Sequence, residues 1–143
     1  MIKAVPLFQL QVSQTRIAEL IRMIPMILNR GQFELIVTLN PIIYERCQSE
    51  PKLKHYLESS LLIVPDGSGV CWALKYLNNK KVMRCPGVEL VDALFKLQKY
   101  SVYLVGGKQF TISLLKEKLK RNYPDLMIKG ACNGYFNESE KQQ

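Results

Sequence analysis

Leu61-Leu62-Ile63-Val64-Pro65-Asp66-Gly67-Ser68-Gly69-Val70 is the stretch on which the reading of this chain turns. Four consecutive apolar residues read as a buried strand, and the glycines beyond Pro65 let the backbone turn sharply where that strand ends. A helix-like segment follows, so the run sets one carboxylate, Asp66, at a junction between strand and helix. In an α/β fold the carboxyl ends of the strands are where ligands bind, which makes Asp66 a candidate reacting group. An aspartate that caps a helix or forms a turn is the alternative.

Other apolar runs also end in polar residues or glycine. Phe33–Val37 leads into Thr38-Leu39-Asn40-Pro41, Lys81-Val82-Met83 into Arg84-Cys85-Pro86-Gly87, and Ser101–Val105 into Gly106-Gly107-Lys108. A fifth candidate strand, Leu126–Lys129, precedes Gly130 and then Asn133-Gly134-Tyr135-Phe136. Helical spacing fills the intervals: Leu90, Val91, Leu94 and Leu97 in one segment, Ile112, Leu114, Leu115 and Leu119 in a lysine-rich one. Strands alternating with helices predict an α/β fold with a parallel, Rossmann-like sheet of about five or six strands flanked by helices. In such a sheet the strand ends share one edge, so Thr38, Asn40, Asp66, Arg84 and Gly106 are expected to line one crevice.

The order Thr38-x-Asn40-Pro41, Pro65-Asp66-Gly67-x-Gly69-Val70, Arg84-x-x-Gly87-x-x-Leu90, Tyr103-Leu104-Val105-Gly106-Gly107, Tyr123-Pro124 and Gly134-Tyr135-Phe136 resembles the WecG/TagA/CpsF family of glycosyltransferases. The resemblance runs from about Leu7 to Phe136. It implies transfer of an N-acetylmannosamine-type sugar from a UDP donor to a lipid diphosphate-linked N-acetylglucosamine, during synthesis of bacterial cell-surface polymers such as the teichoic acid linkage unit. It further implies inversion at the sugar, no bound metal or cofactor, and a catalytic base at the position of Asp66. Inversion in one step needs a base on the acceptor hydroxyl and stabilisation of the departing diphosphate.

Beside Asp66, the residues expected to bind substrate each have a plainer reading. Arg84 offers a fork of donors to a diphosphate, or forms a surface ion pair. Thr38 and Asn40 supply short hydrogen-bonding groups to a sugar or nucleotide, although Asn-Pro is also a turn signal. Gly106 and Gly107 allow close backbone approach to a nucleotide, or simply make a tight strand-to-helix turn, and Gly67 is expected to bind substrate beside Asp66. Tyr135 either stacks on uracil or packs in the core. The family resemblance also implies a further part beyond Gly-Tyr-Phe, with a Pro-Lys-Gln-Glu motif and an arginine-rich appendage that meets the membrane; a complete active site is expected to draw on it. A non-catalytic Rossmann-like module that binds a nucleotide or a partner is the competing reading.

Composition sets the outer bounds. The 143 residues are 48% hydrophobic, enough for one sizeable core, and no Ser/Gly/Pro-rich linker interrupts them. One domain is expected over residues 1–136, with a polar tail at 137–143. Twenty Lys and Arg against 12 Asp and Glu give a net charge of +8, which favours anionic partners such as a nucleotide diphosphate or lipid headgroups. No RNA-recognition or zinc-finger signature is present, so nucleic acid is not the expected partner. Cys47, Cys71, Cys85 and Cys132 form no Cys-x-x-Cys pair and His55 is the sole histidine, so no metal site is expected.

Polar residues Gln9, Gln11, Gln14 and Arg16 break any signal-peptide run, and no apolar stretch nears the roughly 20 residues that cross a bilayer. The expected location is the cytoplasm, with peripheral contact at the inner face of the membrane. Between Thr15 and Leu28 an apolar stripe of Ile17, Leu20, Ile21, Ile24 and Leu28 reads as a core-facing helix that Pro25 kinks or ends. Met23, Met26 and Ile27 lie off that stripe and suit self-association into a homo-oligomer or interfacial docking.

Overall fold

A computed structural model describes residues 2–135. The chain divides into two compact units, one up to Ala93 and the other from Leu94. Within the first, β1 (Lys3–Leu7) and β2 (Leu10–Gln14) form an antiparallel hairpin. Then follow α1 (Ile17–Leu28), β3 (Ile36–Leu39), α2 (Pro41–Ser49), α3 (Pro51–Glu58), β4 (Leu62–Pro65) and α4 (Ser68–Asn78). Helix α5 (Gly87–Leu97) contains the division, and β5 (Ser101–Val105), α6 (Gln109–Asn122) and β6 (Met127–Cys132) belong to the second unit. The α/β, Rossmann-like expectation holds, with the six strands of the described residues divided between two sheets.

The larger sheet has the order β1-β2-β4-β3, and β4 runs parallel to both of its neighbours. Because successive side chains point to opposite faces, β4 feeds two cores. Ile63 joins Val5, Leu7, Leu10, Val12, Leu39, Val70 and Leu74 on one face. Leu62 and Val64 join Leu20, Cys85 and Leu90 on the other. All four β4 positions are buried, as a parallel strand covered by helices on both faces requires. The register Thr38↔Val64 and Leu39↔Pro65 brings β3 and β4 to the same edge, so the residues after each strand emerge side by side.

Several sequence expectations are corrected. Lys81-Val82-Met83 is not a strand: Val82 is buried, but among the described residues the only ladder-like bond nearby is from the Cys85 N–H to the Pro65 carbonyl at 2.7 Å. The hairpin β1–β2 had no counterpart in the sequence reading; Phe8 turns it at a φ of 53°. Pro25 does not end α1, which continues to Leu28, because proline so near the C-terminus leaves only one earlier carbonyl without its helical partner. Ile27, read as lying off the stripe, is buried with Leu20, whereas Leu28 is exposed.

In the second unit β5 and β6 run parallel, with an irregularity at Val102/Tyr103 that skips Lys129 and sets Tyr103 opposite Gly130. Phe95, Leu119 and Leu126 form its core, with Val102, Leu104, Tyr123 and Ile128 against them. The lysine-rich segment is α6, which buries Ile112 and Leu119 and leaves Leu114 and Leu115 exposed. Phe136 and the polar tail lie outside the described residues.

Candidate functional site

Three chain segments meet at the carboxyl edge of β3 and β4. Asp66 directly follows β4, and its backbone N–H donates to the Leu39 carbonyl at 2.7 Å, tying the two strand ends together. Gly67 then takes φ 109° and ψ 146°, a backbone that only glycine adopts readily, and opens α4. Gly67, not Asp66, is the N-cap of α4, and no side chain caps that helix. Among the described residues the Asp66 carboxylate accepts a single long bond, 3.4 Å, from the N–H of Gly87, the first residue of α5. A carboxylate can accept about four such bonds, so among these residues most of its capacity is untaken.

Gly87 is the partner that the sequence reading did not assign a role. A Cβ built on it would lie 2.9 Å from Thr38 Oγ1 and 3.2 Å from Thr38 Cγ2, so β3 and the start of α5 fit together only because no side chain intervenes. Its signal in the sequence is a glycine three residues after Arg84, where a helix begins. Thr38, Asp66 and Gly87 therefore form one cluster, and the Thr38 hydroxyl makes no hydrogen bond among the described residues. Asn40 is close by in sequence but occupied: its Oδ1 accepts from the Ile43 N–H at 2.9 Å and caps α2. Gly69 sits against Pro41 Cγ, where an added Cβ would come to 3.1 Å, closing the other side of the edge.

Arg84 carries its guanidinium 3.6 Å from Glu89 and keeps 55% of its side chain exposed, a loose surface pair. Among the described residues no cation pairs with Asp66. Neighbouring thiols register the charges here. Burial pushes the Cys85 thiol up to about 11, with the Asp66 and Glu89 carboxylates adding to the shift. Burial also raises Cys71, against a lowering by Arg84.

The remaining expected site residues belong to the second unit. Gly106 and Gly107 follow β5 with φ of 135° and 69°. The Gly106 N–H donates to Cys132 O at 3.2 Å, and the Gly134 N–H donates to Gly107 O at 3.0 Å. A Cβ on Gly134 would meet the Gly106 Cα at 3.0 Å, so glycine is needed where these two loops touch. Lys108 is the N-cap of α6 and offers it no side-chain bond. Tyr135 is 76% exposed, which removes the core-packing alternative for its ring, and its N–H donates to Asn133 Oδ1 at 2.8 Å. Among the described residues no group of three or more His, Cys, Asp or Glu could hold a metal, and no helix is long and apolar enough to cross a membrane.

Comparison with known proteins adds an independent line. The model of the glycosyl transferase WecG/TagA/CpsF family matches residues 5–143. The chain is 30% identical over 116 residues to a Bacillus spizizenii protein named N-acetylglucosaminyldiphosphoundecaprenol N-acetyl-beta-D-mannosaminyltransferase, a match covering 79% of this chain and 44% of that protein. A Bacillus subtilis protein of the same name is 29% identical over 107 residues, 73% of this chain and 42% of its own length. A Staphylococcus aureus protein, again of that name, is 29% identical over 94 residues, covering 64% and 37%. The chain thus spans less than half the length of these curated relatives.

Proposed function

This chain belongs to the glycosyl transferase WecG/TagA/CpsF family, and from that premise we propose that it serves the transfer of an N-acetylmannosamine-type sugar from a UDP donor to a lipid diphosphate-linked N-acetylglucosamine. The relatives' names supply the sugar and the acceptor. The product class is a bacterial cell-surface polymer, and the site of action is the inner face of the membrane. The observation that carries the proposal is the Asp66 carboxylate, at a strand end, held by one 3.4 Å bond and unpaired with any described cation.

In the proposed reaction Asp66 accepts the proton of the attacking acceptor hydroxyl while the bond from sugar to UDP breaks on the opposite face, giving inversion. The bond from Gly87 fixes one carboxylate oxygen and leaves the other able to receive the proton. Arg84, only loosely engaged by Glu89, turns its guanidinium to the diphosphate. Thr38 and Gly67 contact the sugar; in the second unit, taken by itself, the Gly106-Gly107 turn and the exposed Tyr135 ring suit a nucleotide. Asn40 shapes the start of α2 rather than offering a free group, since its Oδ1 is committed to Ile43.

Asp66→Asn tests this cleanly. An asparagine Oδ1 still accepts from Gly87, so the substitution keeps the structural bond and removes the base. Rates are measured with a soluble lipid diphosphate acceptor, on the protein and its Asp66→Asn variant alike. Turnover should fall by roughly 10²- to 10⁴-fold with UDP affinity little changed. Near-normal turnover would remove Asp66 from the chemistry.

A further inference from the structure

Helix α4 starts two residues after Asp66, and its two faces differ in kind. Val70 and Leu74 are buried in the core and pin the helix in place. At 3.6 residues per turn, Ser68, Trp72, Lys75, Tyr76 and Asn79 fall on the opposite side, and all five are exposed. Trp72 and Tyr76, one turn apart, stack with ring centroids 5.4 Å apart and an interplanar angle of 11°. They are 66% and 76% exposed, so the pair packs against itself and little else. Single exposed apolar residues are ordinary on protein surfaces, but two stacked amphipathic rings on one outward helix face are not.

The charge along this segment of the chain is one-sided. From Gly67 to Val88 there is no Asp or Glu, while Lys75, Lys80, Lys81 and Arg84 are all present. Lys75 shares the aromatic face, Lys80 and Lys81 follow its C-terminal end, and none of the three makes an ion pair among the described residues. Tryptophan and tyrosine with flanking lysines are what the interface of a bilayer selects: the rings enter at headgroup level, and the long lysine stems keep their ammonium groups at the lipid phosphates.

We infer that the outer face of α4, Trp72 and Tyr76 with Lys75, supported by Lys80 and Lys81 just beyond its C-terminal end, is a docking surface for an anionic lipid bilayer. Lying in the interface, α4 would set Trp72 about 6 Å along its axis from Ser68 and Tyr76 about 12 Å. The Asp66 turn would then stand at headgroup depth, where the diphosphate of a membrane-bound acceptor lies. That last step rests on the transferase reading above; the docking surface itself does not.

Trp72 is the sole tryptophan of the chain, so its fluorescence reports on this face alone. With vesicles of equimolar phosphatidylglycerol and phosphatidylcholine its emission should shift to the blue and be quenched by brominated lipid; phosphatidylcholine alone should do neither. Replacing Lys75, Lys80 and Lys81 together by Gln should weaken partitioning by roughly 100-fold, about fivefold for each lysine. Trp72→Ala, followed by vesicle flotation, should weaken it by about tenfold. An unmoved emission overturns the inference. So does a shift that grows with protein concentration without vesicles, which marks a second copy as the occupant, or one produced by an oligonucleotide but not by vesicles. The vesicles carry no lipid-linked sugar and no turnover is read, so failure here leaves the transferase proposal standing, and failure of Asp66→Asn leaves the docking surface standing.

Discussion

Strands β4 and β5 look alike in sequence and live differently in the fold. Leu62-Ile63-Val64-Pro65 is buried at every position, whereas Ser101-Val102-Tyr103-Leu104-Val105 alternates between exposed and half-buried. The difference comes from neighbours. β4 has a strand on each side and a core on each face, while β5 has β6 beside it and the Phe95, Leu119 and Leu126 cluster on one face. Its other face leaves Tyr103 and Val105 in the open, with Met127 of β6. An apolar run therefore announces a strand, and the layers around it decide how many of its faces are dry.

The largest effect should come from deleting a side chain in each environment. Leu39, at the end of β3, is fully buried, so Leu39→Ala should cost about 2–5 kcal/mol through lost burial and the cavity left behind. Val105→Ala on the exposed face of β5 should stay within about 0.5 kcal/mol. Urea unfolding of both variants, followed by circular dichroism, gives the comparison. Similar costs at the two positions would mean that the outer face of β5 is covered in solution.

Two glycines sharpen the same contrast. At Gly87 an added methyl meets the branched, stiff side chain of Thr38 inside the first unit, and Gly87→Ala should destabilise by about 1–3 kcal/mol. At Gly130 the added methyl meets the ring of Tyr103, whose far end is exposed and free to swing aside. Gly130→Ala should therefore cost less than Gly87→Ala, although its built contact is the closer of the two. Thermal melts of the pair decide it; a costlier Gly130→Ala would show that the Tyr103 ring is held in place.

Burial in the first unit also sets a pH dependence. The Cys85 thiol, raised to about 11 by burial and then by the Asp66 and Glu89 charges, stays protonated in the folded chain where an unfolded thiol ionises near 9. The folded state thus binds the extra proton, so this contribution to stability is whole below about pH 9 and is lost as pH climbs towards 11. The loss should be on the order of 2 kcal/mol. Cys85→Ala should flatten that part of the profile in urea titrations across the range, and an unchanged slope would refute the assignment.

How much of this was legible follows physical lines. Asp66 and its strand were readable because a four-residue apolar run against Pro-Asp-Gly has few other interpretations. The hairpin was missed although Val5, Leu7, Leu10 and Val12 are all buried, because Phe8 at its turn is not a residue that advertises a positive φ. Lys81-Val82-Met83 misled in the other direction: Val82 is buried without the ladder hydrogen bonds that would make its segment a strand. The role of Asn40 was equally readable as a cap or a ligand, and only its bond to Ile43 separates the two. The pairing of Thr38 with Gly87 depends on an approach between segments nearly 50 residues apart, which no local pattern encodes.

The smallest predicted effect concerns the starts of α2 and α6, which share an extended N-cap backbone and differ in what fills it. Asn40, at φ −118° and ψ 168°, accepts from the Ile43 N–H, whereas Lys108, at φ −78° and ψ 156°, gives its helix no side-chain bond. Lysine also sets a positive charge at the positive end of the helix dipole, which is mildly unfavourable. Asn40→Ala should therefore lose about 1 kcal/mol, and Lys108→Asn should gain about 0.5–1 kcal/mol by supplying the missing acceptor. A residue that costs stability in this way makes sense if the open N–H groups and the ammonium are kept for an anion, and under the transferase proposal the anion offered to the second unit is part of a nucleotide. The two readings part in one experiment: calorimetric titration of Lys108→Asn with UDP alongside its thermal melt. A higher melting temperature with weaker UDP binding supports the trade. A higher melting temperature with unchanged UDP affinity would take the start of α6 out of the nucleotide-binding surface.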